Sequence, residues 1–259
     1  MPSHYAHYRF GAAAIALMDP ESARAVRHFR QLYDVGLHGP DIFFYRSIFL
    51  RDKASKIARD IHGESGTDFF TRVCKHLRLE PTEAAAAYLC GVLAHYCLDS
   101  VVHPFVLAQT ADGKIRHAEL ETEFDRFLLQ RDGKRQPNTY DCSGHIRLTP
   151  GECAAAARFY PDASASMVSL SVKGMARWVK VLAMPNGNLR RIVESGAGEK
   201  LRQHFMGRTA NKNCAHLDEQ MQALYDQALA QFPRMLDTLQ AHMHHNAPLD
   251  ALFEPTFNG

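Results

Sequence analysis

The stretch TEAAAAYLCGVLAHYCLDSVVHPF, residues 82–105, decides the fold of this chain. Thr82 can cap a helix, and the residues that follow through Leu98 are mostly good helix formers. Apolar side chains occur all around the helix axis, which is typical of a helix buried on every side. We therefore predict a central core helix against which other helices pack.

Three polar side chains interrupt this apolar segment at intervals of four residues. His95, Asp99 and His103 would lie on one helix face, and His117 and Glu121 repeat the spacing further along the chain. Buried imidazoles and carboxylates need partners, and together they are zinc ligands. Because Asp99 lies between two histidines, we predict that it bridges two ions.

The proline after His103 gives a second expectation. Pro104 has no backbone N–H and disfavours helical geometry at His103, so the helix should end or kink between Ser100 and His103. His103 could then turn away from His95 and join His117 and Glu121. The sequence thus predicts two separate metal sites on this part of the chain.

Composition bounds the remaining possibilities. The chain has 259 residues, 46% of them hydrophobic, which is enough for one large core or two small ones. No stretch reads as an interdomain linker, so we predict a single domain, residues 1–259. The net charge of +2 gives no bulk attraction for nucleic acid. Six cysteines without a CxxC pair predict free thiols and a cytoplasmic protein.

Membrane and export signals are weak. No apolar run reaches the ~18 residues of a membrane span, so no transmembrane segment is predicted. The short apolar stretch from Gly11 to Met18 is preceded by little positive charge and followed at once by Asp19-Pro20, which argues against a signal peptide.

Helical patterns continue on both sides of the central segment, and strand patterns are poor. We therefore predict an all-α fold. The further predicted helices cover residues 19–33, 52–61, 67–77, 114–130, 149–159, 162–182 and 217–242.

The motifs together resemble the zinc-dependent phospholipase C family, which is related in fold to the fungal single-strand-specific zinc nucleases. The resemblance rests on five segments in the family's order, within the first half of the chain. They are MPSHYAHYRFG, LHGPDIFFY, His62, HYCLDSVVHPF and HAELE.

The resemblance implies an all-helical domain around a cleft with three zinc ions, and we predict two or three zinc ions for this chain. Its implied ligand sets are Asp41, His62, His95 and Asp99 for one ion, His103, His117 and Glu121 for another, and His7 with Asp99 for a third. In secreted relatives the mature N-terminus completes the third set. Here Pro2 would do so if Met1 is removed, and His4 is the fallback. Glu123 is the lesser alternative to Glu121.

The implied activity is phosphodiester hydrolysis like that of phospholipase C, in which zinc-bound water attacks phosphorus. Asp41 would be a zinc ligand, a general base, or both. The substrate would be a phosphoester, possibly a phospholipid. Alternatives are a single-strand nuclease or another soluble phosphoesterase on the same metal frame, or a non-catalytic protein stapled by zinc. Nucleic acid is possible but not favoured, and the oligomeric state is unknown.

Overall fold

The computed structural model of the chain describes residues 4–47, 51–185, 190–191, 195 and 201–259. Within these ranges the secondary structure is helical, without a β-strand, so the predicted all-α class is confirmed. The principal helices are α1 (His4–Ala14), α2 (Pro20–His28), α3 (Arg30–Gly36), α4 (Lys53–His62), α5 (Gly66–Leu77), α6 (Glu83–Thr110), α7 (His117–Arg131), α8 (Pro150–Ala157), α9 (Ala165–Leu182) and α10 (Asp218–His245).

The central helix α6 corrects one prediction. It does not end between Ser100 and His103 but continues through Pro104 to Thr110. A proline inside a helix removes one backbone hydrogen bond. Buried side chains on both sides of it, Leu98 and Val106, hold the neighbouring turns in the core. Packing of the apolar face therefore outweighs the local preference of proline.

The predicted helix over residues 19–33 is two helices. Asp19 caps α2 as expected, with its side chain accepting hydrogen bonds from the N–H groups of Glu21 and Ser22. Phe29 then adopts φ −111° and ψ 48°, which are not helical values, and α3 begins at Arg30. The change of direction lets α3 bury Leu32, Tyr33 and Val35.

Two glycines allow α3 and α6 to cross closely. A Cβ atom on Gly36 would lie 2.8 Å from the Tyr88 carbonyl oxygen, and one on Gly91 would lie 2.4 Å from the Tyr33 carbonyl oxygen. Real Cβ atoms do not make such contacts, so the crossing requires glycine on both helices. It brings the segment after α3, Gly39–Tyr45, against the middle of α6.

The core extends along the chain from Tyr5 to Phe257 as one cluster of buried side chains. Helix α10 packs along α6 and also contacts α1 and α5. The C-terminal segment, residues 250–259, docks on α5 and α6, because the Gly66 N–H and the Tyr96 hydroxyl both donate to the Pro255 carbonyl. All six cysteines are free, as predicted.

Among the described helices, α6 meets the length and apolarity of a membrane span. In its most apolar window, 83% of the residues are buried inside the protein. That extent of burial is typical of the core helix of a globular protein.

Candidate metal centre

Four elements converge on the buried side chains of α6. We call the side chains that meet there the cluster. Its members are His7 of α1, Asp41 of the segment Gly39–Tyr45, His62 at the end of α4, His95, Asp99 and His103 of α6, and His117 and Glu121 of α7. All are buried except His117, whose side chain is 32% exposed.

The first group of potential ligand atoms consists of Asp41, His62 and His95, whose ligand atoms lie within 4.8 Å of one another. The Nε2 atom of His62 is 3.1 Å from Oδ1 of Asp41. Gly39 makes this approach possible, because its φ of +45° turns the chain and a Cβ atom there would lie 2.4 Å from the His95 ring.

The second group consists of His7, His95 and Asp99. The two oxygens of Asp99 face different histidines: Oδ1 is 3.2 Å from Nε2 of His7, and Oδ2 is 3.2 Å from Nε2 of His95. His95 therefore belongs to both the first and the second group. A carboxylate that presents its two oxygens in two directions is suited to bridge two ions.

The third group joins His103 with His117 and Glu121. The Oε1 atom of Glu121 lies 3.0 Å from Nε2 of His117 and 3.3 Å from Nε2 of His103. His103 reaches α7 while α6 stays helical, and its Nε2 atom is also 3.7 Å from Oδ1 of Asp99. The third group is thus adjacent to the second and is not a distant site.

Backbone carbonyls orient two of the imidazoles. Nδ1 of His62 donates to the Ala58 carbonyl at 2.7 Å, and Nδ1 of His103 donates to the Phe257 carbonyl at 3.1 Å. A proton held on Nδ1 makes Nε2 the nitrogen that can bind a cation, and in both residues Nε2 faces a carboxylate of the cluster. Metal-binding histidines are commonly oriented in this way.

Burial and charge set the protonation of the cluster. Burial lowers the pKa of His95 to about 4, which keeps its imidazole neutral. Burial opposes ionisation of Asp99, but the neighbouring imidazoles, His103 first among them, outweigh it and hold the Asp99 pKa well below its usual range. Burial lowers the pKa of His103, but the negative charges of Asp99 and Glu121 outweigh this effect and raise that pKa to about 9.

The donor set fits zinc. The supporting observation is that several buried polar atoms of the cluster have no hydrogen-bond partner among the described residues. His95 is fully buried, yet neither ring nitrogen makes a hydrogen bond to any described residue. Oδ1 of Asp41 and Nδ1 of His7 are also buried without a hydrogen-bond partner in the described part of the chain. Buried polar atoms are seldom left in this state, and a bound cation would give Asp41 and His95 a partner.

The alternative ligands considered from the sequence are Pro2, His4 and Glu123. Pro2 lies outside the described residues. His4 belongs to none of the three groups; its Nε2 atom lies 2.9 Å from the Tyr45 hydroxyl, and burial lowers its pKa to about 3. Glu123 also points elsewhere, as expected, because its carboxylate accepts from the Arg126 guanidinium.

Sequence reasoning missed residues around the cluster. His38 and His145 appear isolated in sequence, yet their Nε2 atoms lie 2.8 Å apart beside His7. Asp125 was also overlooked, although it continues the four-residue spacing of His117 and Glu121. Its carboxylate accepts the N–H groups of residues 5 and 6 at 3.0 and 2.8 Å, which anchors the start of α1.

The chain was compared with curated proteins, with solved structures and with sequence models of protein families. No curated protein and no solved structure shows significant similarity to it. The sequence model of the zinc dependent phospholipase C family, in contrast, matches residues 6–167, which is more than half of the chain and includes every member of the cluster. The family and the three groups together support a zinc phosphoesterase at the family level. The chain belongs to the zinc dependent phospholipase C family.

Proposed function

We propose that this protein is a zinc-dependent phosphodiester hydrolase of the phospholipase C type. We assign zinc ligation to the eight residues of the cluster, with Pro2 as a further ligand once Met1 is removed. Two or three ions per chain would fill the three groups, with Asp99 shared between neighbouring ions.

The observation that carries the proposal is the state of His95. A neutral, fully buried imidazole lies between Asp41 and Asp99 without a hydrogen bond to any described residue. A histidine that served only packing would donate its N–H to a neighbour. The two oxygens of Asp99, which face His7 and His95, support a metal centre of more than one ion.

Zinc, when bound, supplies Lewis-acid stabilisation of a phosphoryl group and lowers the pKa of water towards ~7. The contribution of the chain is to position these partners. Asp41 is an acceptor that can orient an attacking water or take its proton, and its burial excludes competing bulk water. Nε2 of His62 lies 3.1 Å from Oδ1 of Asp41, so that one ion could bind both side chains.

Exposure indicates the direction from which a substrate enters. His117 is the most exposed member of the cluster, whereas the first and second groups are closed off from solvent. A phosphodiester would therefore reach the cluster at the third group. Phospholipid is the substrate class that family membership favours.

Two glutamates of α7 allow a matched test. Glu121 belongs to the third group, and Glu123, equally buried two residues later, pairs with Arg126. Zinc content by mass spectrometry and hydrolysis of short-chain phosphatidylcholine, bis(p-nitrophenyl) phosphate and single-stranded DNA would be measured for Glu121→Gln and Glu123→Gln. We expect Glu121→Gln to lose zinc and turnover, and Glu123→Gln to keep both if it folds.

The substrate panel separates the alternatives. Cleavage of the phosphatidylcholine supports the proposal, whereas preferential cleavage of DNA would make the protein a nuclease on the same metal frame. If the protein bound stoichiometric zinc but hydrolysed none of the phosphodiesters, the zinc would have a structural role in a non-catalytic helical protein. Less than one zinc per chain after loading would refute the metal assignment itself.

We also propose that the helices form one domain and that the protein acts in the cytoplasm. The continuous core and the six free thiols support these two points. Limited proteolysis and cell fractionation test them.

A further inference from the structure

The C-terminal segment, residues 250–259, lies beyond the part of the chain that matches the family and yet reaches the cluster. Backbone contacts hold it in place: the Thr67 hydroxyl donates to the Phe253 carbonyl, and residues Ser65 and Thr256 form an isolated antiparallel bridge. Asn258 donates from its side chain to the His62 carbonyl at 3.2 Å. The segment therefore follows the surface of α5 and α6 up to two candidate ligands.

The carbonyl of Phe257 determines which nitrogen of His103 carries the proton. It accepts the hydrogen bond from Nδ1 of His103 at 3.1 Å, which makes Nε2, 3.3 Å from Glu121, the nitrogen that can bind a metal ion. The hydrogen bond made by one ring nitrogen decides whether the other can bind a metal. This carbonyl is thus the outer partner of a candidate ligand.

The ring of Phe257 acts on two other imidazoles. It is fully buried, and its centroid lies 5.9 Å from the ring of His62 and 5.9 Å from the ring of His95. A phenyl ring at that distance restricts the rotation of both imidazoles and keeps water from them. One residue therefore contacts three of the candidate ligands, one by its carbonyl and two by its ring.

We propose that Phe257 is a positioning residue of the zinc centre and that the C-terminal segment is a structural part of that centre. The inference rests on the proposed function for the identity of the metal. Phe257 does not touch the ion or the substrate. It presents His103, His62 and His95 in the orientation in which their nitrogens can bind zinc.

Phe253 provides a matched control in the same segment. It is a fully buried phenylalanine like Phe257, but its ring packs against Phe70 and Tyr96, which are not candidate ligands. Leucine at either position removes a buried ring and keeps the backbone. A purely structural role predicts similar effects for the two variants, whereas a positioning role predicts different ones.

The experiment compares wild type, Phe257→Leu, Phe253→Leu and a chain terminated after Thr256. Zinc transfer from the loaded proteins to a chromophoric chelator gives the rate of metal release. Nitrogen-15 NMR of the histidine rings in the zinc-free proteins, at a pH where the ring of His103 is neutral, gives the tautomer of His103. Circular dichroism checks that each variant is folded. We expect Phe257→Leu to release zinc about 10-fold faster than Phe253→Leu. In the truncated chain, the proton of His103 should no longer be confined to Nδ1.

Equal zinc release from the two leucine variants would overturn the proposal, as would an unchanged Nδ1–H tautomer in the truncated chain. If truncation prevents folding, the two leucine variants still decide the role of the ring. Failure of the proposed function looks different, because wild type would then bind no zinc. In that case the tautomer comparison would still establish or refute the positioning of His103 by the segment.

Discussion

Oδ1 of Asp99 lies 3.2 Å from Nε2 of His7, so the first helix of the chain and the central helix meet at one carboxylate. The other oxygen, Oδ2, faces His95 at the same distance. Asp99 is therefore the member of the cluster that links the N-terminal helix to the core of the candidate site.

The first prediction concerns Asp99→Asn. The amide keeps the size of the side chain but removes the charge that would be shared between ions, so we expect loss of zinc and at least a ~100-fold loss of turnover. Metal analysis and hydrolysis rates check this. Asp112→Asn, at an exposed carboxylate after α6, is the control. Full zinc content and full turnover in Asp99→Asn would contradict the bridging role.

The second prediction uses two glycines with positive φ. Alanine at Gly39 (φ +45°) would place a Cβ atom 2.4 Å from the His95 ring, whereas alanine at Gly113 (φ +73°) would meet no atom within 4 Å. Both variants should lose about 1 kcal/mol from backbone strain. We expect zinc loss from Gly39→Ala alone, measured by metal analysis beside thermal unfolding. Equal zinc content in both variants would contradict the packing of Gly39 on His95.

The third prediction concerns Asp125→Ala. The change leaves the buried N–H groups of Tyr5 and Ala6 without their acceptor, at a cost of about 2 kcal/mol or more. Because the start of α1 carries His7, zinc content should fall as well. Asp132→Ala is the comparison, since that carboxylate is 28% exposed and accepts from the side chains of Tyr5 and Arg9 in α1. Denaturant unfolding and metal analysis should show the larger loss in Asp125→Ala.

The fourth prediction concerns pH and Asp218, remote in sequence from the cluster. Burial and the nearby Glu123 raise the Asp218 pKa from 3.8 to about 7. The folded state therefore holds a proton that the unfolded state releases, and stability falls as pH rises from about 4 to 7. Asp218→Asn should remove this loss and raise the free energy of unfolding at pH 8 by up to about 4 kcal/mol.

At pH 4 the two proteins should be nearly equally stable, because the wild-type carboxyl is then protonated. Urea unfolding at pH 4 and pH 8 measures both values. A lower stability of Asp218→Asn at pH 8 would mean that its pairing with Arg126, at 3.8 Å, matters more than the cost of burying the charge.

The fifth prediction concerns metal removal. Zinc that binds only the folded cluster stabilises it by about 2.7 kcal/mol at a hundredfold excess over Kd. Chelation should therefore lower Tm by about 5–10 °C, and added zinc should restore it. Calorimetry with and without a chelator measures the change. A zinc-filled cluster would be contradicted if the chelator left the Tm of wild type unchanged, as it should leave the Tm of the His95→Gln variant.

Some features could be read from the sequence because they depend on spacing along a helix. His95, Asp99 and His103 share one face, and so do His117 and Glu121, because four residues complete about one turn. The all-α class follows from the same local periodicity. Helix starts marked by capping side chains, such as Asp19 and Thr82, were also predicted to within a residue or so.

The sequence by itself thus determined the helical class, the central apolar helix and the four-residue spacing of its candidate ligands, since each is a property of neighbouring residues. Only the tertiary structure decided that α6 continues through Pro104, that Asp125 anchors the start of α1, and that Phe257 lies against His62 and His95. These relationships join residues far apart in the chain, and their energies come from packing and burial that no local pattern contains.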